Sequence, residues 1–492
     1  MSESYVIGID QSTQGTKALL FDESGALICR SDLPHRQIVN DLGWVSHDAG
    51  EIYENVIGAV KDVVAKVGIE PQLIKCVGIS NQRETSVIWD KATGEPLDNA
   101  IVWQCARAAG ICERPEIKER AEYILTTTGI KLSPYFPAAK IAWLLENTTG
   151  AKELADNRSV CHGTVDSYLI YRLTGGQTYA TDYSNASRTQ LFDIFNLRWD
   201  DAICRLFGID PENMPEVKDS DALFGYTDFE GFLSEKIPIH GVMGDSHAAL
   251  FGQDCLENGR AKATYGTGSS IMMNIGDDPI LSRNGLVTSL AWGRSGHVQY
   301  VLEGNLNYTG AVITWLKDDM KLIDSSAETE ELAKIANKDD ELYLVPAFTG
   351  LGAPYWNFHA KAAVLGMDRT TGRAEYARAA LECIAYQITD IVKAMSEDSG
   401  VALSELRVDG GPTRNEYLMQ FQSDMAGCRV LVPDQEELSG IGAAYMSGIA
   451  LGIWDESILS HMKRTVHEPK MSREKAGIKY GGWKEAVACI NK

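Results

Sequence analysis

The turn IDQSTQGTK combines a carboxylate with residues that can bind phosphate. It places Asp10 at the end of a predicted strand, followed by Ser12, Thr13, Thr16 and Lys17. Backbone amides and hydroxyls in such a turn can bind phosphate oxygens, and Lys17 adds positive charge. Asp10 can hold Mg²⁺ through water, because Mg²⁺ takes one or two carboxylates and keeps several waters. The spacing is not that of a Walker A loop, so a plain turn carboxylate remains the alternative.

A second carboxylate with possible chemistry lies in GVMGDSHAALFGQ (241–253), where Asp245 stands after a predicted strand and just before a helix. A carboxylate held there can face a cleft and accept a proton from a substrate hydroxyl. The alternative is an ordinary N-cap, which explains many aspartates at helix starts. We expect His247 to be a packing or capping residue and not the base.

Two glycine-rich turns could approach a ligand closely. ATYGTGSSIMM (263–273) has a turn of glycines and hydroxyl residues between two strand-like runs, which taken alone is ordinary hairpin chemistry. In VDGGPTRN, Gly410 and Gly411 would let a planar ring or a phosphate come near the backbone. Because Gly-Gly turns are common, this second signal needs support from other residues.

Charged and aromatic residues in the first half would suit a polyhydroxylated ligand. NQRET contains the adjacent Arg83 and Glu84, IVWQ contains Trp103, and SPYFP contains Tyr135. Such ligands need charged partners for their hydroxyls and flat apolar surface for their C–H groups. Taken singly, the charged pair reads as a solvated surface pair and each aromatic residue as a core residue.

The elements that must position these residues form two similar halves. Strand–turn–strand patterns open at residues 5–28 and 260–277, and a further strand is predicted at 297–305. Helical periodicity is found at 51–68, 311–323, 372–395 and within 440–454. Residues 75–97 read as two strands around a polar segment, and 406–427 as strand, turn and helix. The pattern predicts an α/β fold.

Length and composition narrow the possibilities. A chain of 492 residues is too long for one core, so we expect two domains, 1–253 and 254–492, around a cleft. The formal net charge of −22 disfavours nucleic acids and anionic membranes as partners. The ten cysteines include no CxxC pair and sit singly in apolar runs, and the N-terminus MSESYVIGID lacks the pattern of a signal peptide. We therefore expect a cytoplasmic protein.

Taken together, these stretches resemble the FGGY carbohydrate kinases, and among them the glycerol kinase branch. The resemblance covers nearly the whole chain. It rests on GWVSHD (43–48), SNQRETSVIWDKATGEPLDNAIVWQ (80–104), YFPAAKIAWLLEN (135–147), FTGLGAPYW (348–356), LECIAYQ (381–387) and VDGGPTRNEYLMQFQSDMAG (408–427).

The resemblance implies two ribonuclease-H-like domains, as in actin and hexokinase, that close on ATP and a sugar or polyol. Asp245 would be the general base and Asp10 would position Mg²⁺. The acceptor would lie among Arg83, Glu84, Trp103, Tyr135, Asp245 and Ser270. ATP would contact Thr13, Gln14, Lys17, Thr267, Gly268, Gly310, Gly411 and Asn415. A homo-oligomer, dimer or tetramer, is also implied.

Four departures from the family pattern bear on the substrate. Ser12 replaces a usual glycine, and WQCARA has Cys105 and Ala106 where many relatives have Asp and Arg. Ser270 and Ser246 stand where glycerol kinases place a phenylalanine and a glutamine. The two serines predict a roomier, more polar pocket, so a four- or five-carbon polyol or a ketose fits at least as well as glycerol.

Two further expectations follow from the resemblance. EGFLSEK (230–236) lacks the pattern with which some glycerol kinases bind fructose 1,6-bisphosphate, so we do not expect that regulation. The competing function is a non-catalytic, actin-like ATP-binding module, which would have no reason to keep the acceptor residues together.

Overall fold

The computed structural model describes residues 4–491, so the first three residues of the N-terminal stretch discussed above lie outside the described part. The first sheet is built on the predicted first hairpin, in which Tyr5–Gln11 and Gly15–Phe21 run antiparallel. Ile74–Asn81 pairs in parallel with the first of these strands. The order across the sheet is Tyr226–Thr227, Ile237–Gly244, Ile74–Asn81, Tyr5–Gln11, Gly15–Phe21 and Leu27–Pro34.

The second sheet repeats this arrangement with residues from the second half. Arg260–Tyr265 and Ser269–Gly276 form the antiparallel hairpin, and Glu405–Asp409 adds in parallel to the first of them. The order is Val287–Arg294, His297–Leu306, Ser269–Gly276, Arg260–Tyr265, Glu405–Asp409, Arg429–Pro433 and Arg464–His467. Both sheets therefore combine an antiparallel set, of three strands in the first sheet and four in the second, with strands added in parallel, which confirms the predicted α/β fold with two similar halves.

The remaining elements cover the two sheets. Helices in the first half are Ala49–Val67, Ala109–Cys112, Pro115–Lys118, Ala121–Thr128, Pro137–Asn147, Ala151–Asp156, Val165–Leu173, Tyr183–Ala186, Asp201–Leu206 and Asp245–Gly252. Helices in the second half are Gly310–Asp318, Glu328–Ile335, Arg373–Ser399, Glu416–Ala426, Leu438–Ala450 and Arg473–Ile490. A five-stranded sheet has the order Ile38–Val39, Val45–His47, Ala100–Ile101, Ser86–Asp90 and Val160–Thr164. Smaller pairs are Ala180–Asp182 with Glu216–Lys218, Phe192–Asp193 with Arg198–Trp199, and Tyr343–Val345 with Ala363–Leu365.

Most predicted elements are confirmed to within a few residues, with one clear exception. The helix expected over 311–323 ends at Asp318. Beyond it the chain leaves the helical path, and Lys321 adopts a positive φ of 54°. A positive φ is incompatible with a right-handed helix. The apolar residues after 318 therefore belong to the loop that follows the helix and do not extend it.

One helix from late in the chain packs on the first sheet. Leu438–Ala450, which includes most of the apolar stretch 440–454, contacts the strands Ile74–Asn81 and Ile237–Gly244. A side chain at Gly78 would place its Cβ 2.1 Å from the carbonyl oxygen of Ala443. Glycine is therefore required for the backbones to approach this closely. The contact places this helix of the second half beside the first hairpin.

Within residues 4–491, the structure contains no helix with the length and apolar character needed to cross a membrane.

Candidate active site

Four buried charged side chains, which we call the charged floor, form one network between the two halves of the chain. Arg83 Nη1 and Nη2 donate to the two carboxylate oxygens of Glu303, at 3.0 and 2.9 Å. Arg188 Nη1 donates to Glu303 Oε2 at 2.7 Å, and its Nε donates to Glu84 Oε1 at 2.6 Å. All four side chains are at most 7% exposed. The two arginines and two glutamates thus pair with one another away from water.

Asp245 joins this network at its solvent-facing edge. It is the first residue of the helix Asp245–Gly252, whose N-cap is Gly244, so the alternative of an ordinary capping aspartate does not apply. Its Oδ1 lies 3.1 Å from Arg83 Nε, and its side chain remains 36% exposed. The carboxylate therefore lies against a buried guanidinium and remains open to solvent.

Electrostatics explain which groups of the network hold charge. Burial alone would raise the pKa of Glu303, but Arg188 and Arg83 outweigh it and hold the pKa well below its usual range. Burial and the charge of Arg83 hold the pKa of His247 well below its usual range. His247 is fully buried, and its Nε2 lies 3.4 Å from Ser289 Oγ. This placement supports the expected packing role.

Two aromatic side chains stand beside the charged floor. The rings of Trp103 and Tyr135 meet edge to face with centroids 5.6 Å apart, and both side chains are half-buried. Trp103 Nε1 donates to Thr13 Oγ1 at 2.9 Å, which connects this wall to the first hairpin. The structure thus brings the aromatic residues of the sequence analysis together as apolar surface next to polar groups, and not as core residues.

A buried lysine holds the backbone that carries Tyr135. Lys140, on the helix Pro137–Asn147, is fully buried and donates through Nζ to the carbonyl oxygens of Pro134 (2.8 Å) and Tyr135. Burial lowers the pKa of Lys140 to about 7. The lysine of the YFPAAK stretch therefore fixes the position of the aromatic wall.

This depressed pKa predicts a pH-dependent contribution to stability. Between about pH 7 and about pH 10.5 the unfolded chain binds a proton on Lys140 that the folded protein does not hold. The free energy of unfolding should therefore rise with pH through this window more steeply for the wild type than for Lys140→Met. Denaturant titrations at several pH values measure the difference. The exposed Lys152→Met is the control and should parallel the wild type; parallel curves for Lys140→Met would contradict the prediction.

The first hairpin brings a buried carboxylate and a lysine to the cleft. Asp10 accepts a hydrogen bond from Ser80 Oγ at 3.0 Å and is 7% exposed. Burial raises the pKa of Asp10 to about 6, against the opposing effect of Lys17. Lys17 Nζ lies 2.6 Å from Glu437 Oε2 and 3.9 Å from Asp10 Oδ2. Glu437, from the second half, thus shares this lysine with Asp10.

The residues present fit a Mg²⁺ ion that takes one carboxylate from the protein. Among residues 4–491 no three His, Cys, Asp or Glu side chains gather closely enough to form a metal cage. Mg²⁺ does not need one, since it commonly keeps several waters and binds one or two carboxylates together with substrate phosphates. Asp10 supplies one such carboxylate, and its raised pKa reflects a buried acid that a cation would stabilise in its charged form.

The second hairpin is tied to the start of a helix. The carbonyl oxygens of Gly266 and Thr267 accept from the backbone amides of Gly310 and Ala311, at 2.9 and 3.0 Å. A Cβ at Gly310 would lie 2.6 Å from the Gly266 oxygen, so a side chain there would push the turn away. Gly266 and Thr267 remain exposed. The turn between Tyr265 and Ser269 is therefore a fixed, solvent-facing loop.

A cavity of about 690 Å³ opens beside this turn. Gly310, Gly411 and Asn415 line it together with apolar side chains such as Ile313 and Leu418. Pockets of this size with apolar walls and a few polar groups suit small organic ligands. Asn415 also caps the helix Glu416–Ala426, since its side chain accepts from the amide of Leu418 at 2.9 Å.

Sequence reasoning missed Glu303, Arg188 and Glu437. Glu303 had a signal: it is a single acid within the apolar run YVLEG, where the neighbouring residues Val301 and Leu302 are buried. A charged residue inside a buried strand needs a partner. Arg188 and Glu437 had no comparable signal, because each lies among polar residues.

Two family models match the chain. Residues 5–252 match the N-terminal domain of the FGGY family of carbohydrate kinases, and residues 261–451 match its C-terminal domain.

Full-length relatives support the same grouping. A glycerol kinase of Alkaliphilus oremlandii is 46% identical over 488 residues, covering 99% of this chain and 97% of the relative. Glycerol kinase 1 of Thermotoga maritima is 47% identical over 488 residues, covering 98% and 99%. The crystal structure of Plasmodium falciparum glycerol kinase with ADP superposes with a TM-score of 0.94 at 35% identity, covering 99% and 98%.

Proposed function

This chain belongs to the FGGY family of carbohydrate kinases, and from that premise we propose that it transfers the γ-phosphoryl group of ATP to a terminal hydroxyl of a small linear polyol. It is a phosphotransferase with an alcohol acceptor, and the competing interpretation as a non-catalytic actin-like module is wrong. The relatives are named glycerol kinases, so glycerol is the acceptor against which other polyols are compared.

The observation that carries the acceptor assignment is the placement of Asp245. A partly exposed carboxylate, oriented by buried Arg83, stands beside an aromatic wall and a floor of paired charges. A hydroxyl is a poor nucleophile, so a carboxylate that accepts its proton assists transfer. In this proposal Arg83 and Glu84 bind acceptor hydroxyls, Trp103 and Tyr135 contact its C–H groups, and Asp245 is the base.

The donor side uses the two hairpins and the cavity. Residues 1–253 would hold the acceptor and residues 254–492 most of the nucleotide, with the first hairpin reaching across. Thr13, Gln14 and Lys17 would contact phosphates from one side, and Thr267 with Gly268 from the other. The cavity lined by Gly310, Gly411 and Asn415 would take the nucleoside. Asp10 would hold Mg²⁺, which neutralises phosphate charge when bound.

This arrangement suits phosphoryl transfer, which depends on in-line positioning and charge stabilisation more than on covalent chemistry. Closure of the two halves would exclude water, which competes with the polyol as phosphoryl acceptor. We also propose a cytoplasmic location, because all ten cysteines are unpaired, and a homo-oligomeric state as implied by the family resemblance.

A panel of acceptors tests the proposed function. Purified protein with ATP and Mg²⁺ should phosphorylate glycerol or another polyol of three to five carbons, measured by coupled ADP release and by mass of the product. Gluconate is the control: the acceptor side has three carboxylates (Glu84, Glu303, Asp245) against two guanidinium groups (Arg83, Arg188), which should repel an anion. ADP release that does not depend on any polyol would contradict the proposal.

A further inference from the structure

Two polar side chains beside the charged floor have no role in the proposed transfer to glycerol. Ser270 and Asn305 lie directly opposite each other on the antiparallel strands Ser269–Gly276 and His297–Leu306. Directly opposed residues project their side chains on the same face of a sheet. Ser270 is half-buried and Asn305 is exposed. Together they form a polar pair beside the charged floor.

The pair faces Glu303 but is not needed to satisfy it. Ser270 Oγ and Asn305 Nδ2 lie 3.3 and 3.4 Å from Glu303 Oε1, which are long hydrogen bonds. The same oxygen already accepts from Arg83 Nη2 at 2.9 Å, and Oε2 accepts from both arginines. A serine hydroxyl also accepts hydrogen bonds, and an asparagine side chain carries a carbonyl oxygen and two N–H groups. The pair therefore retains capacity for a ligand.

The position of the pair relative to Asp245 defines which ligand group it could meet. Asp245 contacts the Nε of Arg83, and the other end of that guanidinium contacts Glu303, next to the pair. Successive contacts thus connect Asp245 to Arg83, Arg83 to Glu303, and Glu303 to the pair. An acceptor whose terminal hydroxyl lies at Asp245 must extend past Arg83 before it reaches Ser270 and Asn305.

We infer that Ser270 and Asn305 form a subsite for a hydroxyl beyond the third carbon, so that the preferred acceptors are linear polyols of four or five carbons. This inference rests on the proposed function. A site built to hydrogen-bond a hydroxyl discriminates against an analogue that lacks it, because polar groups of the site are then left unpaired. The net negative charge of the surrounding side chains selects neutral polyols over sugar acids.

The test compares acceptors of different length in matched variants. We expect wild-type kcat/KM for erythritol, threitol, ribitol or xylitol to exceed that for glycerol. Ser270→Ala and Asn305→Ala should each lower the ratio of kcat/KM for the best longer polyol to that for glycerol by about tenfold, as expected for one lost hydrogen bond. Asn258→Ala is the control, because Asn258 is also exposed but lies beside Gly276, at the other end of the strand from Ser270, and it should keep the wild-type ratio.

Binding provides a second readout that does not depend on turnover. The longer polyols should raise the melting temperature of the wild type more than glycerol does, and both alanine variants should lose that difference. Unchanged melting temperatures without ligand would show that the variants fold. The subsite would be overturned if the wild type preferred glycerol and both alanine variants kept the wild-type ratio of kcat/KM for the longer polyol to kcat/KM for glycerol. The proposed function would then remain intact. Failure to phosphorylate any polyol would overturn the proposed function and the subsite with it.

Discussion

Asp245→Asn should lower kcat for the polyol by about 10²-fold or more, the loss expected when a general base is removed. The amide has nearly the same shape as the carboxylate and keeps an oxygen that can stay close to Arg83 Nε, which lies 3.1 Å from Asp245 Oδ1. The geometry of the site should therefore survive, and KM for polyol and for ATP should change much less than kcat. Steady-state kinetics with both substrates varied measures this separation.

A matched control variant separates the loss of the general base from the loss of helix stability. Asp245 lies in the first turn of its helix, where a carboxylate also stabilises the helix dipole by about 0.3–1 kcal/mol. Asp201 occupies the first turn of the helix Asp201–Leu206 at the surface. Asp201→Asn should lose a similar small amount of stability and keep full turnover. Near-normal turnover in Asp245→Asn would show that Asp245 is not the general base.

Local features of the fold could be predicted because the sequence within a few residues determines them. The hairpin Tyr5–Phe21 and the turn between Tyr265 and Ser269 follow from alternating apolar residues around glycines and hydroxyls. The end of the helix at Asp318 was missed because apolar residues continue beyond it, and periodicity does not show that the chain turns away.

Contacts between distant parts of the chain could not be predicted in the same way. The periodicity of Leu438–Ala450 indicates a buried helix but not that it packs on the first sheet. Glu303 pairs with Arg188 across 115 positions and with Arg83 across 220 positions. The family resemblance named Arg83 and Asp245 but not Glu303, because the fold and not any local pattern brings Glu303 to Arg83.

Glu303→Gln should destabilise the folded protein by about 3–5 kcal/mol, the cost of removing one partner from a buried ion pair. Glu303 is fully buried and accepts from both Arg83 and Arg188. Glutamine keeps the shape but replaces one oxygen by an N–H group that cannot accept from either arginine. Two guanidinium groups would then be buried with incomplete pairing. Denaturant titration measures the loss.

The same substitution should impair the reaction through Arg83. The two hydrogen bonds that Arg83 donates to Glu303 fix the guanidinium beside Asp245. The kcat/KM for the polyol should therefore fall by about tenfold or more, whereas KM for ATP should stay within about twofold. Glu405→Gln is the control, because Glu405 also forms a buried ion pair, with Arg407. Glu405 begins the strand Glu405–Asp409, whereas the second hairpin is approached at the other end of that strand, by Gly410. That variant should lose stability and keep the kinetics of the folded protein. If Glu303→Gln behaved in the same way, Glu303 would be a structural residue only, and the orientation of Asp245 would have to come from elsewhere.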